Sequence, residues 1–261
     1  GLLGITVTGD AFNAFVFLEI SSLSTYVLIA LGRDRRALMA SYQYLIMGTI
    51  GATFFVIGVG LLYLMTGTLN IADMGQRLAD MRDTRPVLAA LAFITVGISL
   101  KLALFPLHQW LPNAYTHAPS AVSALLAATA TKVAVYVLMR FCFGVFGHAQ
   151  VFERLPMGEV LLLLALAGMF GASAVAIFQT DLKRLFAYSS VAQIGYIVLG
   201  ISFASATGLT ATIVHLVNHG VTKGAIFLLL GCVAAGIGGT SLARAQGLGR
   251  SMPLTAAALV L

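Results

Sequence analysis

Charge is what this sequence has least of. Asp, Glu, Lys and Arg together make up 9% of its 261 residues, where soluble domains carry roughly 25%. The chain has too few polar side chains to cover a water-facing surface, and that excludes a soluble domain. Cysteine is equally scarce. Cys142 and Cys232 stand far apart in apolar surroundings, with no CxxC and no metal spacing. Nothing here holds an iron–sulfur cluster or a structural zinc, and both read as packing residues. No glycine fingerprint follows a strand, so no flavin or nicotinamide site is indicated and no cofactor is implied. The net charge is +6, but the bases are scattered and never form a stripe interleaved with aromatics, which argues against a nucleic-acid partner. No basic n-region or cleavage site precedes the first apolar segment, so no signal peptide is expected. The chain opens on Gly1 without Met, and Leu254–Leu261 breaks off inside an apolar run. Both ends read as cut, and the chain as an internal fragment.

What is present instead is long apolar runs. Hydrophobic residues make up 59% of the chain and the mean hydropathy is +0.97. Runs at about 11–31, 41–66, 86–105, 118–143, 157–179, 185–204 and 208–235 are each long enough to span, and an eighth starts near Met252. About 20 apolar residues cross the hydrocarbon layer as a helix. A β-barrel would need alternating segments of about ten residues, which these continuous runs exclude. The fold class is therefore all-α, a polytopic transmembrane bundle. Gly32–Arg36, Asp181–Arg184, and Arg244 with Arg250 fall on one side of an up-down path. That side carries seven Lys and Arg against five on the other, which places the first loop in the cytoplasm. Asp181, Lys183 and Arg184 read as interfacial anchors. The stretch 70–85 spaces Ile71, Met74, Leu78 and Met81 helically between charges, which predicts a short amphipathic helix on the outer surface. Gly48, Gly51, Gly58 and Gly60, and Gly168 with Gly171, suit close packing between membrane helices.

Glu19, Lys101, Lys132 and Lys223 lie well inside apolar runs. A charge near a bilayer centre costs at least about 2.5–3.5 kcal/mol, so such residues face a protein interior or a hydrated path. Pro106 removes a backbone donor and clashes with the carbonyl four residues back, so the third helix should break just after Lys101. Irregular backbone in a membrane survives only where protein or water satisfies it, and broken helices recur at ion sites of transporters. Lys101 would then reach freed carbonyls or trapped water. A proline kink with a snorkelling lysine is the plainer alternative. His108, His117 and Trp110 flank the break; the histidines read as backbone partners and Trp110 as packing at the interface or against the break. His215, His219 and Lys223 recur every four residues, on one helical stripe. His-x-x-x-His can hold zinc, but no third ligand lies nearby, so no metal is expected.

The run Phe105-Pro-Leu-His-Gln-Trp-Leu-Pro-Asn-Ala-Tyr-Thr-His-Ala-Pro-Ser-Ala-Val-Ser-Ala-Leu-Leu126, followed by Lys132 and Tyr136, resembles the central motif of the proton-translocating antiporter family. That family comprises antiporter-like subunits of respiratory complex I, large subunits of Mrp-type cation/proton antiporters, and related hydrogenase subunits. Three more stretches are similar to the family: Gly9–Tyr26 to its fifth helix, Asp181–Tyr196 to its ninth-to-tenth connection, and His215–Lys223 to its eleventh helix. The resemblance covers essentially the whole chain.

It implies an inverted-repeat fold with a discontinuous helix near Lys101–Pro106. The chain would form one proton-conducting domain over 1–261, its first repeat at about 1–143 and its second at about 157–261. Glu19, Lys101, Lys132, His215, His219 and Lys223 match the family's proton-translocation residues. Glu19 would pair with Lys101, Lys132 would relay, and the histidine stripe would carry protons laterally. Glu19 as a merely structural ion-pair partner, and Lys132 as a residue bonding local carbonyls, stay open on the residues alone. The implied ligands are protons and a monovalent cation, Na+ or K+. The implied partners are other membrane subunits and the lipid bilayer, and the implied location is the cell inner (plasma) membrane. The Ile20-Ser-Ser-Leu-Ser-Thr-Tyr26 context looks more like the D-type subunit of Mrp antiporters. The alternative is a proton-pumping subunit of NADH:quinone oxidoreductase or a membrane hydrogenase, in which the chain would serve an enzyme without redox chemistry of its own.

Overall fold

The computed structural model describes residues 1–32 and 34–260; Arg33, expected in the basic first loop, and Leu261 lie outside the described residues. In chain order the helices are α1 (Leu2–Val7), α2 (Ala11–Ala30), α3 (Arg35–Thr66), α4 (Ile71–Arg77), α5 (Arg85–Leu102), α6 (Trp110–His117), α7 (Ser120–Leu125), α8 (Thr131–Met139), α9 (Met157–Ile177), α10 (Leu182–Ser202), α11 (Ala206–Ile237), α12 (Leu248–Ser251) and α13 (Pro253–Val260). A π-helical turn at Leu126–Ala130 joins α7 and α8 into one run, a second at Arg140–Val145 extends it, and a third lies at Ala149–Arg154. Among the described residues, seven helical runs are long and apolar enough to cross a membrane: α2, α3, α5, Ser120–Val145, α9, α10 and α11. The eighth expected segment begins as α13. The chain is a multi-pass membrane protein.

Polar residues punctuate these helices. Asp10 caps α2 by accepting from Asn13 N at 2.7 Å, and Asp181 caps α10 by accepting from Arg184 N at 3.1 Å. Such caps satisfy amide donors that have no partner inside the helix. Glycines with positive φ, Gly67 at 69° and Gly238 at 74°, terminate α3 and α11, where a side chain would be strained. The spacing of these features recurs. Helices α3 and α11 each have 32 residues. Isolated antiparallel bridges join Asp10 to Asn70 and Asp181 to Ser241. Positions 10 and 181, 35 and 206, 66 and 237, 67 and 238, and 70 and 241 all differ by 171.

The core forms where small residues let helices close in. A Cβ on Gly97 of α5 would lie 2.5 Å from the Gly51 carbonyl oxygen of α3, so the two backbones touch. Gly58 abuts Ile94, Gly168 meets the Cβ of Phe105 and Gly171 its ring. Gly60 differs from the packing expectation, because nothing lies within 4 Å of its would-be Cβ. On the outer side, Leu163, Phe170 and Ile177 stand 67–77% exposed along α9. An exposed apolar stripe of this kind marks a membrane or protein contact.

The expected amphipathic surface helix over 70–85 takes another form. It is helical only as α4, with turns to Thr84, and Ile71, Met74 and Leu78 are buried in the protein core. Gly75 packs against the Gly144 carbonyl of the second π turn, so protein rather than lipid covers this apolar face. The segment's charges stay outside, where the Arg77 guanidinium 2.9 Å from Asp73 holds that carboxyl below its ordinary range. The loops gather at two ends. A cavity of about 490 Å³ brings Gly32, Asp34, His117, Ser120, Lys183 and Ala235 to one. At the other, Asp83 accepts from Arg154 at 2.7 Å and from Gln150 at 3.0 Å.

Candidate functional site

Helix α5 stops at Leu102, just after Lys101. Ala103 turns left-handed at φ 60°, and the Phe105–Pro106 bond is cis. The freed backbone groups are met inside the protein. Leu104 N donates to Ser99 O at 3.0 Å, and the Trp110 indole donates to Leu100 O at 2.8 Å. Trp110 is buried and packs on Tyr44, with ring centroids 4.6 Å apart. It therefore sits against the break rather than at the membrane interface.

Lys101 consequently does not bond the freed carbonyls. Its Nζ donates to Ser22 Oγ at 2.5 Å and lies 3.7 Å from Glu19 Oε1. The lysine side chain is 7% exposed and the glutamate 26%, so the pair is largely out of reach of solvent and bulk screening. Glu19 Oε1 and the Tyr26 hydroxyl are buried without a hydrogen-bond partner among the described residues. Gly48 makes the room: a Cβ there would come within 2.8 Å of the Tyr26 hydroxyl and 3.6 Å of Lys101 Nζ. Beyond Lys101 a void of about 20 Å³ opens between Ser22, Ala130 and Val133. A cavity needs about 10–15 Å³ for one water.

Lys132 stands just past the first π turn. Its Nζ donates to Ala127 O at 2.5 Å and to Thr131 Oγ1 at 3.4 Å, so it does bond a local carbonyl. It also lines a 270 Å³ groove with Gly220 and Gly224 of α11, which turns it toward the histidine stripe. On that stripe the His215 and His219 rings are parallel within 5°, with centroids 6.0 Å apart. Both ring nitrogens of His219 and Nε2 of His215 are buried without partners among the described residues. Lys223 leaves the stripe for α10, donating to Ser189 Oγ at 2.9 Å and Phe186 O at 3.2 Å, with its Nζ 5.2 Å from the Phe186 ring centre. The predicted residues thus fall into three groups: the Glu19–Lys101 pair, Lys132 facing α11, and the His215–His219 stack ending in Lys223.

The model of the NADH:quinone oxidoreductase/Mrp antiporter transmembrane family matches residues 8–261. The chain belongs to that family. Among its antiporter-family relatives, NADH-quinone oxidoreductase subunit N of Desulforudis audaxviator is 46% identical, over 100% of this chain and 51% of its own length. The D-type Na(+)/H(+) antiporter subunit of Alkalihalophilus pseudofirmus is 33% identical, over 97% of this chain and 50% of its own. A chain of the membrane-bound sulfane sulfur reductase, an archaeal respiratory membrane complex, superposes with a TM-score of 0.91 at 36% identity, covering 98% of this chain and 52% of that one. This antiporter-family chain spans about half the length of the curated relatives it matches.

Several site residues of the antiporter-family chain escape a reading of the sequence. Ser22 stands three residues after Glu19, on the same helical face, and that spacing is a usable signal. Ser189 carries none, and Trp110, expected to pack at the interface or against the break, gives no sign that its indole takes a backbone carbonyl. Lys183 is a correction. Expected as an interfacial anchor, it is turned inward at 7% exposure and donates to Ala118 O at 3.0 Å, because the carbonyl ending α6 lacks a helical partner. Asp181, also expected as an interfacial anchor, caps α10. His108 stacks on Phe105 at 5.0 Å with Nδ1 unpartnered among the described residues.

Proposed function

We propose that the chain is the proton-translocating core of a membrane subunit in a multisubunit monovalent cation/proton antiporter, D-like and of Mrp type. Protons move along Glu19, Lys101, Lys132, His215, His219 and Lys223. The observation that carries this reading is the Lys101 ammonium held 2.5 Å from Ser22 and 3.7 Å from Glu19, one residue before a broken helix end. A carboxylate beside a buried lysine favours its charged form, and desolvation opposes it. Drawing Glu19 away therefore releases a proton, and bringing it back recaptures one. The 20 Å³ void lets one water pass that proton toward the helix of Lys132. The unpartnered nitrogens of His215 and His219 suit onward transfer, since imidazole both donates and accepts.

The equal spacing of caps and helices supports two inverted repeats, at about 1–143 and 157–261, within one conducting domain. Other membrane subunits are the proposed partners, Na+ or K+ the exchanged ions, and the plasma membrane the location. A second reading, a subunit N-like pump segment of NADH:quinone oxidoreductase or a related hydrogenase, is favoured by the 46% identity to such a subunit. Purifying the intact complex separates the two, since redox subunits accompany the chain only in the second. The shared core is tested in vesicles carrying that complex. Lys101→Ala and Glu19→Ala should each abolish proton transport while assembly is retained; wild-type transport in both overturns the proposal.

A further inference from the structure

Two adjoining hollows remain on the face between α3 and α6. One, of about 260 Å³, lies at the basic end and is lined by Arg36, Arg184, His117 and Gln43 among others. The other, of about 310 Å³, is mainly apolar and runs along α3 past Ile46 and Met47 to Trp110. Gln43 and Asn113 line both and bond each other at 2.7 Å, so the two hollows adjoin at that pair and together form a groove along α3. Three helices converge here because the chain re-enters at α6 after the break. That brings the end of α6 between the starts of α3 and α10.

The charge at the head of the groove is unbalanced. Arg36 meets Asp34 only at 3.8 Å, with both side chains more than half exposed, a geometry of little strength in water. Asp181, the other nearby carboxylate, already accepts from Thr240 Oγ1 at 2.7 Å and from Arg184 N. Arg36 therefore faces the hollow with only that long, exposed Asp34 contact, and Arg184 with no ion pair among the described residues. Two guanidinium groups at a membrane end suit a phosphate, which they bind through paired N–H donors. Basic pockets between membrane helices take anionic lipid headgroups. The apolar lower hollow is what a free anion would not need and an acyl chain would.

We propose that this groove binds an anionic phospholipid, its phosphate between Arg36 and Arg184 and one chain lying against Met47 and Trp110. The assignment needs only the membrane-spanning fold and is independent of the proton path. The lipid would touch the indole that holds Leu100 O, next to Lys101.

The test uses the full-length protein in nanodiscs. The signal is Trp110 fluorescence, taken as the difference between wild type and Trp110→Phe, on titrating phosphatidylglycerol with brominated chains into a phosphatidylcholine background. Saturable quenching is expected at a mole fraction at least tenfold below that needed with brominated phosphatidylcholine. Arg36→Gln with Arg184→Gln should raise the half-point about tenfold, and Met47→Trp, which fills the groove, should remove quenching of the Trp110 signal. Equal quenching by both lipids, or an unchanged half-point in the double arginine variant, overturns the proposal. Absence of quenching shows another protein segment in the groove and overturns it too. Saturation of the wild type by inorganic phosphate with release of the lipid would assign the site to a soluble anion instead.

Discussion

Lys101 Nζ has two polar neighbours inside the protein, and only one of them is at hydrogen-bond distance. Ser22 accepts at 2.5 Å, while Glu19 stands back at 3.7 Å. Hydrogen bonds to charged groups contribute about 1.5–3 kcal/mol, so the serine positions the ammonium while the carboxylate remains free to move. Ser22→Ala should therefore slow proton transport in complex-bearing vesicles about tenfold, the rate equivalent of ~1.4 kcal/mol. Ser22→Thr, which keeps the hydroxyl, should restore most of it. Wild-type rates in Ser22→Ala would remove the serine from the proposed path. The charges themselves are legible in the sequence, because an ionised group inside an apolar run is costly enough to stand out. Their partners are not. Ser22 and Lys101 are 79 residues apart, and serines are unexceptional in membrane helices. The Trp110 indole takes the Leu100 carbonyl that composition leaves open to the lysine.

The helices are legible as runs, and the seven expected spans correspond to the observed ones with boundary shifts of a few residues. What composition does not record is how a helix is wound or how closely it is approached. The π turn at Leu126–Ala130 leaves no periodic trace, yet it places the Ala127 carbonyl where Lys132 bonds it. Glycine is similarly ambiguous until its neighbours are known. A Cβ on Gly97 would lie 2.5 Å from Gly51 O and 2.8 Å from Phe55 N, both backbone atoms that cannot step aside. Gly97→Ala should destabilise the solubilised protein by about 1–3 kcal/mol, as overpacking does. Gly60→Ala meets nothing within 4 Å and should gain about 0.5–1 kcal/mol from better helix propensity. Thermal unfolding in detergent checks both; a shift of the same sign in the two variants would contradict the packing described.

At the scale of the molecule, the loops divide into two ends that differ in chemistry. One gathers Asp34, Arg36, His117, Lys183 and Arg184 around connected hollows. The other is tied by Asp83 to Arg154 and Gln150, with a His148 ring nitrogen 2.9 Å from Ala204 O. Opposing pairs neutralise the second end, whereas the arginines of the first remain largely unmatched. Lys and Arg near span ends favour the cytoplasmic side, so the first end should face the cytoplasm and α2 should enter from outside. Single cysteines at Arg36 and Arg250 should then react with a membrane-impermeant maleimide only in inside-out vesicles. A cysteine at Glu153 should react only in right-side-out ones, with Cys232 replaced by Ala and the buried Cys142 kept. The reverse pattern would turn the molecule over in the membrane. The groove would then open to the outer leaflet, and the Glu19–Lys101 pair would take its protons from the opposite compartment. Labelling of Arg36→Cys and Glu153→Cys from the same side would contradict the fold itself, because the spans between them, α3, α5 and Ser120–Val145, are odd in number and put the two positions on opposite faces.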